Sequence, residues 1–185
     1  MQQHDDTYLI EQILAGKNRA FGDLVDRHQV RVYNFVLNIL RHEEEAHEVT
    51  QDTFLKVHRS LSTFRQESKL STWMLRIAYF ACMTRLRKVK PDLVDIDKHS
   101  GYLESNNVSD QTEIGDMRAV LAQAMTKLSH EEKGVVTLYY YNEQSIKEIV
   151  KITGLTDSNV KVILHRSRKK LNKVLSNMGI TEWAS

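Results

Sequence analysis

Basic side chains are concentrated near the C-terminal end of this sequence. Lys161, His165, Arg166, Arg168 and Lys169 lie within nine positions, and no acidic residue occurs between Asp157 and Glu182. At the 3.6-residue period of a helix they share one outward side. Lys and Arg bind phosphates, and Arg also pairs with guanine edges in the major groove. The pattern predicts a DNA-binding helix face.

Two short helices joined by a glycine turn are predicted to carry this face, over Ser145 to Lys173. Ser145 and Glu148 have capping-box spacing at the start of the first helix. Gly154 suits a left-handed C-terminal position, and Thr156 or Asp157 follows as a cap for the second helix. The apolar positions that face each other across the turn are Ile146, Ile149 and Val150 in the first helix and Val160, Ile163, Leu164, Ser167 and Leu171 in the second. This is the arrangement of a helix-turn-helix.

A plainer interpretation of this stretch is an amphipathic helical hairpin whose basic face is only solvated, as most charge runs are. The combination of a capped helix, a glycine turn and a second helix with an outward basic face favours insertion into a DNA groove. We therefore rank the hairpin second.

A different surface is predicted on the helix from about Glu43 to Leu61. Its buried stripe is complete with Ala46, Val49, Thr50, Thr53, Val57 and Leu61. The opposite side nevertheless carries Leu55 among Glu44, Glu48, Gln51, Asp52 and Arg59. A single exposed Leu is common and often has no function. An apolar centre with a polar rim is also typical of a protein-docking surface, and the pattern alone leaves both interpretations open.

The helix from Ser71 to Lys88 has a third notable edge, formed by Trp73, Arg76, Phe80, Met83 and Arg87. Aromatic residues at helical spacing usually belong to a core. Arginines interleaved with rings also suit single-stranded nucleic acid, because bases stack on the rings and guanidinium groups hold the phosphates. The preceding polar loop adds Arg65 and Lys69.

Composition favours an all-α protein, with only seven Gly and one Pro in 185 residues and 41% hydrophobic residues. The net charge of +2 conceals acidic segments at 43–52 and 92–116 and basic segments at 65–90 and 161–173. These segments imply a basic protein partner and a nucleic-acid partner. The single Cys82 forms no internal disulfide, and no signal peptide or long apolar run is apparent, so we expect a cytoplasmic protein without membrane insertion.

No catalytic chemistry is predicted. His42 and His47 have a poor spacing for one helix face and lack accompanying ligands, so no metal site is expected. Neither a nucleophile–base pair nor a phosphate-binding glycine loop is present. We expect a protein that is not an enzyme, with no cofactor and no small-molecule substrate.

The predicted organisation is two small helical domains that fold independently. The first covers 1–90, a flexible linker that mixes Pro, Gly, Ser, Asn and Asp covers 91–112, the second domain covers 113–178, and a tail covers 179–185. The second domain should begin with a weak helix from Ile114 to Lys127. A capping box at Ser129 and Glu132 should then open a helix that continues through Tyr141.

From about Ala20 to Leu171 the chain resembles a bacterial sigma factor of the extracytoplasmic-function (ECF, group 4) type. The segments that carry the resemblance are AFGDLVDRHQ, EVTQDTF, FRQES, STWMLRIA and LSHEEKGVVTLYYYNEQSIKEIVKITGLTDSNVKVILHRSRKKL. The resemblance implies an alternative sigma factor with a region 2 domain, a linker and a region 4 domain. Its expected partners are core RNA polymerase, promoter DNA and an anti-sigma factor.

Together with the patterns described above, the resemblance predicts three sets of functional residues. The resemblance itself implies Glu48, Gln51, Asp52, Trp73, Arg76, Lys161, Val162, His165 and Arg166, and the helical patterns add the others. Core polymerase would be bound by Glu48, Gln51, Asp52 and Leu55. The −10 element would be recognised and melted by Arg65, Lys69, Thr72, Trp73, Arg76, Phe80 and Arg87. The −35 element would be read by Ser158, Asn159, Lys161, Val162, His165, Arg166, Arg168 and Lys169.

The chain departs from the family pattern at three positions. Two of them, Glu48 and Phe80, belong to the predicted sets, and the third, Thr84, lies one turn after Phe80. Members commonly have Asn at the position of Phe80, Asp or Asn at that of Thr84, and Asp at that of Glu48. Two other protein classes remain as rivals. One is a helix-turn-helix regulator with a ligand-sensing or dimerising domain, and the other is an enzyme with a DNA-binding appendage.

Overall fold

A computed structural model describes residues 5–88, 121 and 123–177, and every regular element among them is helical. The all-α prediction is confirmed. The helices are α1 (Asp6–Leu14), α2 (Asn18–Leu40), α3 (Glu43–Ser60), α4 (Leu70–Lys88), α5 (His130–Val136), α6 (Ile146–Thr153) and α7 (Asp157–Asn177). The predicted linker at 91–112, the beginning of the helix expected at Ile114 and the tail at 179–185 lie outside the described residues.

Helices α1 to α4 form the first domain, in which α2, α3 and α4 pack against one another and α1 packs on α2. Phe35, Leu24, Met74 and Leu75 are among its fully buried side chains. Cys82 is also fully buried, and burial raises the pKa of its thiol to about 12. This core holds α3 and α4 side by side, so that each of them keeps one face turned outward.

Helix α5 opens with the predicted capping box, because Ser129 Oγ accepts from Glu132 N and the Glu132 carboxylate accepts from Ser129 N. The prediction of one helix through Tyr141 is only partly correct. After Val136 the chain widens into a π-helical turn, Thr137–Tyr141, in which Asn142 N donates to Thr137 O at 3.1 Å. Such turns often occur at functional positions.

The second domain is closed by α7, which packs on α5 and α6. The beginning of this domain packs against the C-terminal half of α7 in a small separate core. Its members are Ala124, Met125, Leu128, Val136, Leu171 and Leu175. Lys170 Nζ also donates to Glu132 at 2.8 Å, so α7 is tied to the beginning of α5.

The two domains pack directly on each other, which the sequence did not predict. One hydrophobic cluster runs from the first-domain helices to Val135, Leu138, Ile149 and Ile152 of the second. Gly134 lies against the ring of Tyr79, so close that an ideal Cβ would stand 2.7 Å from Tyr79 Cε2. The two domains therefore share an interface in this structure, and their independent folding remains a prediction.

Candidate functional site

The predicted helix-turn-helix is present as α6, a turn and α7. Ser145 Oγ accepts from Glu148 N at 3.3 Å, and Glu148 Oε2 accepts from Ser145 N at 2.9 Å. Ser145 Oγ also donates to Glu148 Oε2 at 2.7 Å, and this hydrogen bond, followed by the one from Ser145 N, lowers the pKa of Glu148. Gly154 adopts a left-handed φ of 79°, and Thr156 Oγ1 accepts from Asn159 N at 3.2 Å, so Thr156 is the cap of α7. The predicted caps are confirmed.

The outward face of α7 is free of protein cover. Val160, Leu164, Ser167 and Leu171 are buried and Ile163 is half-buried, so the predicted inner stripe is confirmed except at Ile163. All eight predicted DNA-contacting positions are exposed: Ser158, Asn159, Lys161, Val162, His165, Arg166, Arg168 and Lys169. The structure thus presents a continuous cationic surface along one side of α7.

Two of these cations have partners within the chain. Lys161 pairs with Asp157 one turn earlier at 2.5 Å. Arg168 Nε donates to the Tyr140 hydroxyl at 2.5 Å, and its guanidinium carbon lies 5.8 Å from the Tyr140 ring centroid. Tyr140 lies on the π-helical turn, so this turn orients Arg168. The sequence analysis did not identify Tyr140.

The predicted docking face on α3 has its central apolar side chain exposed, because 54% of Leu55 is accessible. Glu48, Gln51 and Asp52 are also exposed. The predicted inner stripe of Ala46, Val49, Thr50, Thr53, Val57 and Leu61 is buried. Leu55 is therefore not a core residue, and its acidic rim is open to a partner.

The predicted −10 residues on and before α4 divide into two groups. Arg65, Lys69 and Arg87 are exposed, and Phe80 is 43% exposed. Trp73 is half-buried against Phe64, with ring centroids 5.3 Å apart.

Thr72 and Arg76, by contrast, engage the second domain. Thr72 is buried, and its Oγ1 donates to Gln144 Oε1 at 3.3 Å. Arg76 Nη1 donates to the carbonyl oxygens of Lys151 and Ile152, while Arg76 Cζ lies 5.1 Å from the Phe80 ring centroid. The alternative in which Phe80 turns inward is wrong, since the ring stays on the outer edge beside Arg76.

A cavity of about 360 Å³ lies at the junction of the two domains. It is lined by Arg31, Asn34, Phe35, Asn38, Tyr141, Asn142 and Glu143. The lining contains one carboxylate, that of Glu143, and no Cys, Ser or His. In the described ranges there is no cluster of His, Cys, Asp and Glu that would hold a metal ion. None of the helices in the described part of the chain is long and apolar enough to cross a membrane.

Comparison with known proteins relates both domains to one family. The Sigma-70 region 2 family model matches residues 24–91, and the Sigma-70 region 4 model matches 118–171. The RNA polymerase sigma factor YlaC of Bacillus subtilis is 32% identical over 159 residues, covering 83% of this chain and 91% of that protein. The ECF RNA polymerase sigma factor SigW of the same organism is 27% identical over 179 residues, covering 91% and 96%.

Solved structures agree on the fold. The structure of CnrH in complex with the cytosolic domain of CnrY superposes with a TM-score of 0.69, at 24% identity, and covers 93% of this chain and 97% of that one. The sigma factor RpoE of Bartonella quintana, in complex with the anti-sigma factor NepR, gives 0.66 at 19% identity, covering 84% and 96%. Both matched regions, the identity to YlaC and the similarity to SigW show that the chain belongs to the ECF RNA polymerase sigma factors, alternative subunits that direct promoter-specific initiation of transcription.

Proposed function

We propose that this chain is a group 4 sigma factor that binds core RNA polymerase through α3, melts the −10 element with α4 and reads the −35 element with α7. The observation that carries the proposal is the presence of two chemically opposite exposed surfaces on one chain. The face around Leu55 is acidic with an apolar centre, whereas the face of α7 is basic. A helix-turn-helix regulator without polymerase contacts does not require the first of these surfaces.

The α3 face has the composition of a docking site for a basic protein. Truncation of an apolar side chain at the centre of such a site generally costs more binding energy than loss of a rim charge. Leu55 is the central residue, and Glu48, Gln51 and Asp52 form the rim. We assign these four residues to core polymerase.

The two DNA-facing surfaces suit different forms of DNA. The α7 face projects Lys and Arg from a helix, as major-groove recognition of a duplex requires. The α4 edge combines Phe80 and Trp73 with Arg76, a pairing of rings and guanidinium that suits unpaired bases. This division of roles corresponds to −35 recognition by the second domain and −10 melting by the first.

We further propose regulation by an anti-sigma factor. RpoE of Bartonella quintana, a relative in fold, forms a complex with the anti-sigma factor NepR. The exposed docking and DNA-binding faces of the present chain would be suitable targets for a protein inhibitor of this kind.

Transcription with purified components tests the function. Core RNA polymerase should initiate from a subset of fragments of the host genome when this protein is added, and not when it is omitted. Asp52→Asn should reduce both retention on immobilised core and run-off product. Leu14→Ala changes a Leu on α1 that is about as exposed as Leu55 but lies outside the docking face, so it should leave retention on core and run-off product unchanged. Binding to DNA without core-dependent transcripts would instead identify a conventional DNA-binding regulator.

A further inference from the structure

A pair of tyrosines on the π-helical turn, Tyr139 and Tyr140, contacts the guanidinium of Arg168. The guanidinium carbon lies 5.9 Å from the centroid of the Tyr139 ring and 5.8 Å from that of Tyr140, and the two rings meet edge to face with centroids 5.0 Å apart. Arg168 Nε also donates to the Tyr140 hydroxyl at 2.5 Å. Aromatic rings attract a delocalised cation, and the hydrogen bond adds a direction to this attraction. The tyrosine pair therefore fixes both the place and the orientation of this guanidinium.

The contact with Tyr140 occupies only one of the hydrogen-bond donors of Arg168. A guanidinium carries five N–H donors in a planar fork. Within the part of the chain that the structure describes, no acceptor binds Nη1 or Nη2 of Arg168. Arg85 is different, because glutamates of α3 accept from both its Nε and its Nη2. Arg168 therefore keeps four N–H donors for an external acceptor, and a phosphate is the acceptor that a guanidinium fork binds in a bidentate manner.

Arg168 lies on the basic face of α7 but far from the beginning of the helix. Helix α7 begins at Asp157, and Arg168 follows about three turns later. In helix-turn-helix and homeodomain proteins the early residues of the recognition helix contact base edges, whereas later positions approach the backbone of the DNA. Phosphate contacts of this kind fix the register of a protein on the duplex and carry no sequence information. The place of Arg168 therefore suits a phosphate contact rather than a base contact.

The π-helical turn is anchored independently of α7. Its Leu138 is fully buried, whereas Tyr140 is 37% exposed beside α7. The hydrogen bond between Tyr140 and Arg168 joins residues 28 positions apart, so it connects two elements of the second domain. The hydroxyl that receives Arg168 Nε is therefore placed by the core of the domain and not by α7 itself.

We propose that Tyr140 is a positioning residue for DNA binding, which holds Arg168 so that its Nη groups meet a phosphate beside the groove entered by α7. The inference rests on the proposed function, since it takes α7 to be the −35 reader. An unrestrained Arg side chain loses rotamer freedom when it binds DNA, and this loss opposes binding. Because Tyr140 already restricts Arg168 in the free protein, less freedom is lost on the DNA. The hydroxyl of Tyr140 thus strengthens DNA binding without contributing a charge.

Tyr140→Phe is the variant best suited to test this role, because it removes the hydroxyl and keeps the ring. Arg168→Ala removes the cation, and the double variant shows whether the hydroxyl acts through Arg168. Arg168→Lys keeps the charge but lacks the planar fork of donors. Tyr141→Phe is the matched control. It removes a hydroxyl from the same turn, but Tyr141 lines the cavity at the domain junction.

Affinity of the full chain for a short random-sequence DNA duplex is measured between about 50 and 200 mM KCl, because a phosphate contact does not depend on sequence. Arg168→Ala should reduce the salt slope by about one, whereas Arg168→Lys should bind more weakly with an unchanged slope. Tyr140→Phe should weaken binding roughly threefold, as expected for the loss of one hydrogen bond. In the Arg168→Ala background it should have no further effect, and Tyr141→Phe should match wild type. The melting temperature should stay at the wild-type value throughout, because all three side chains are exposed.

Unchanged or tighter binding by Tyr140→Phe would overturn the positioning role. An equal loss with and without Arg168 would also overturn it, since Tyr140 would then act by packing alone. A salt slope that Arg168→Ala leaves unchanged, or a wild-type chain that does not bind the duplex, would remove the phosphate contact itself. Run-off transcription with core polymerase tests the proposed function separately. If the chain supports no transcription but Tyr140 and Arg168 remain coupled in duplex binding, the proposed function fails and the positioning role stands.

Discussion

Arg85 on α4 holds Glu48 of α3 in an ion pair, with Arg85 Nη2 donating to Glu48 Oε2 at 2.7 Å. Its Nε also donates to Glu45 Oε1 at 3.3 Å. One acid of the docking face is therefore already partly neutralised by the protein itself. In the described part of the chain no cation is paired with Asp52, which lies one turn further along α3.

The ion pair predicts unequal effects of removing the two acids. Asp52→Asn should weaken binding to core polymerase roughly tenfold, because an unshared carboxylate attracts a basic partner more strongly than a shared one. Glu48→Gln should weaken it less, and this difference should narrow in an Arg85→Ala background. Equilibrium binding to core at low and moderate salt measures the series. Equal losses in both backgrounds would contradict the ion pair's influence.

Leu55→Ala should reduce affinity for core polymerase at least tenfold, since Leu55 is the apolar centre of the face. Its free energy of unfolding should change by no more than about 0.5 kcal/mol, as expected for an exposed side chain. Leu14→Ala on α1, where the exposed fraction is 56%, is the control and should bind normally. A Leu55→Ala protein that is markedly destabilised yet binds core normally would contradict the assignment.

Arg166→Ala and Lys169→Ala should have different effects on DNA binding: the first on sequence preference, the second on overall affinity. If Arg166 makes a bidentate base contact, its loss costs about 1–3 kcal/mol and relaxes preference at one −35 position. Lys169→Ala should weaken binding to all sequences alike and reduce its dependence on salt. Selection from a randomised −35 library at two salt concentrations separates the outcomes. Uniform losses for both variants would remove Arg166 from the base-reading set.

Phe80→Ala should leave the protein nearly as stable as wild type, because 43% of the ring is already exposed. If the ring stacks on a −10 base, its loss costs about 1–3 kcal/mol in promoter opening. Phe80→Asn should make −10 selection stricter, since an amide both donates and accepts. Thermal unfolding and permanganate footprinting measure the two effects. Tyr8→Ala, at a similarly exposed ring on α1, is the control, and normal opening by Phe80→Ala would refute stacking.

The capping box at Ser145 predicts acid sensitivity. Its hydrogen bonds lower the pKa of Glu148 from the ordinary 4.5, so the stabilisation is complete above that pH and is lost as pH falls through the lowered value. Glu148→Gln keeps the capping geometry at neutral pH, but a Gln side chain takes up no proton as the pH falls. Its unfolding free energy should therefore decrease less steeply than that of wild type below pH 4.5. Glu11→Gln should follow wild type, and parallel curves for all three proteins would exclude the effect.

Local chemistry explains why much of the structure could be predicted from the sequence. The capping boxes at Ser129 and Ser145 join residues only three positions apart, and Gly154 and Thr156 define the turn between α6 and α7. The exposure of Leu55 also follows from a helical period, because the buried stripe of α3 is complete without it. These features require no knowledge of the other domain.

The domain interface depends on contacts that no local pattern contains. Thr72 and Gln144 are 72 positions apart, and Arg31 and Asn142 are 111 apart. Gly134 within α5 was the available signal, since a helical glycine often has a packing reason. The assignments of residues to −10, −35 and polymerase contacts came from family resemblance, and they remain predictions.

The contact between Tyr79 and Gly134 also has a consequence for synthesis on the ribosome. Helices α1 to α4 emerge first, and the apolar surface around Tyr79 lacks this contact until α5 has been made. Domains generally fold as units in the order of their synthesis, so the first domain should complete its own packing while this apolar patch is still exposed to water. A nascent chain halted before α5 would therefore present a transient binding site for chaperones, which disappears when α5 and α6 dock.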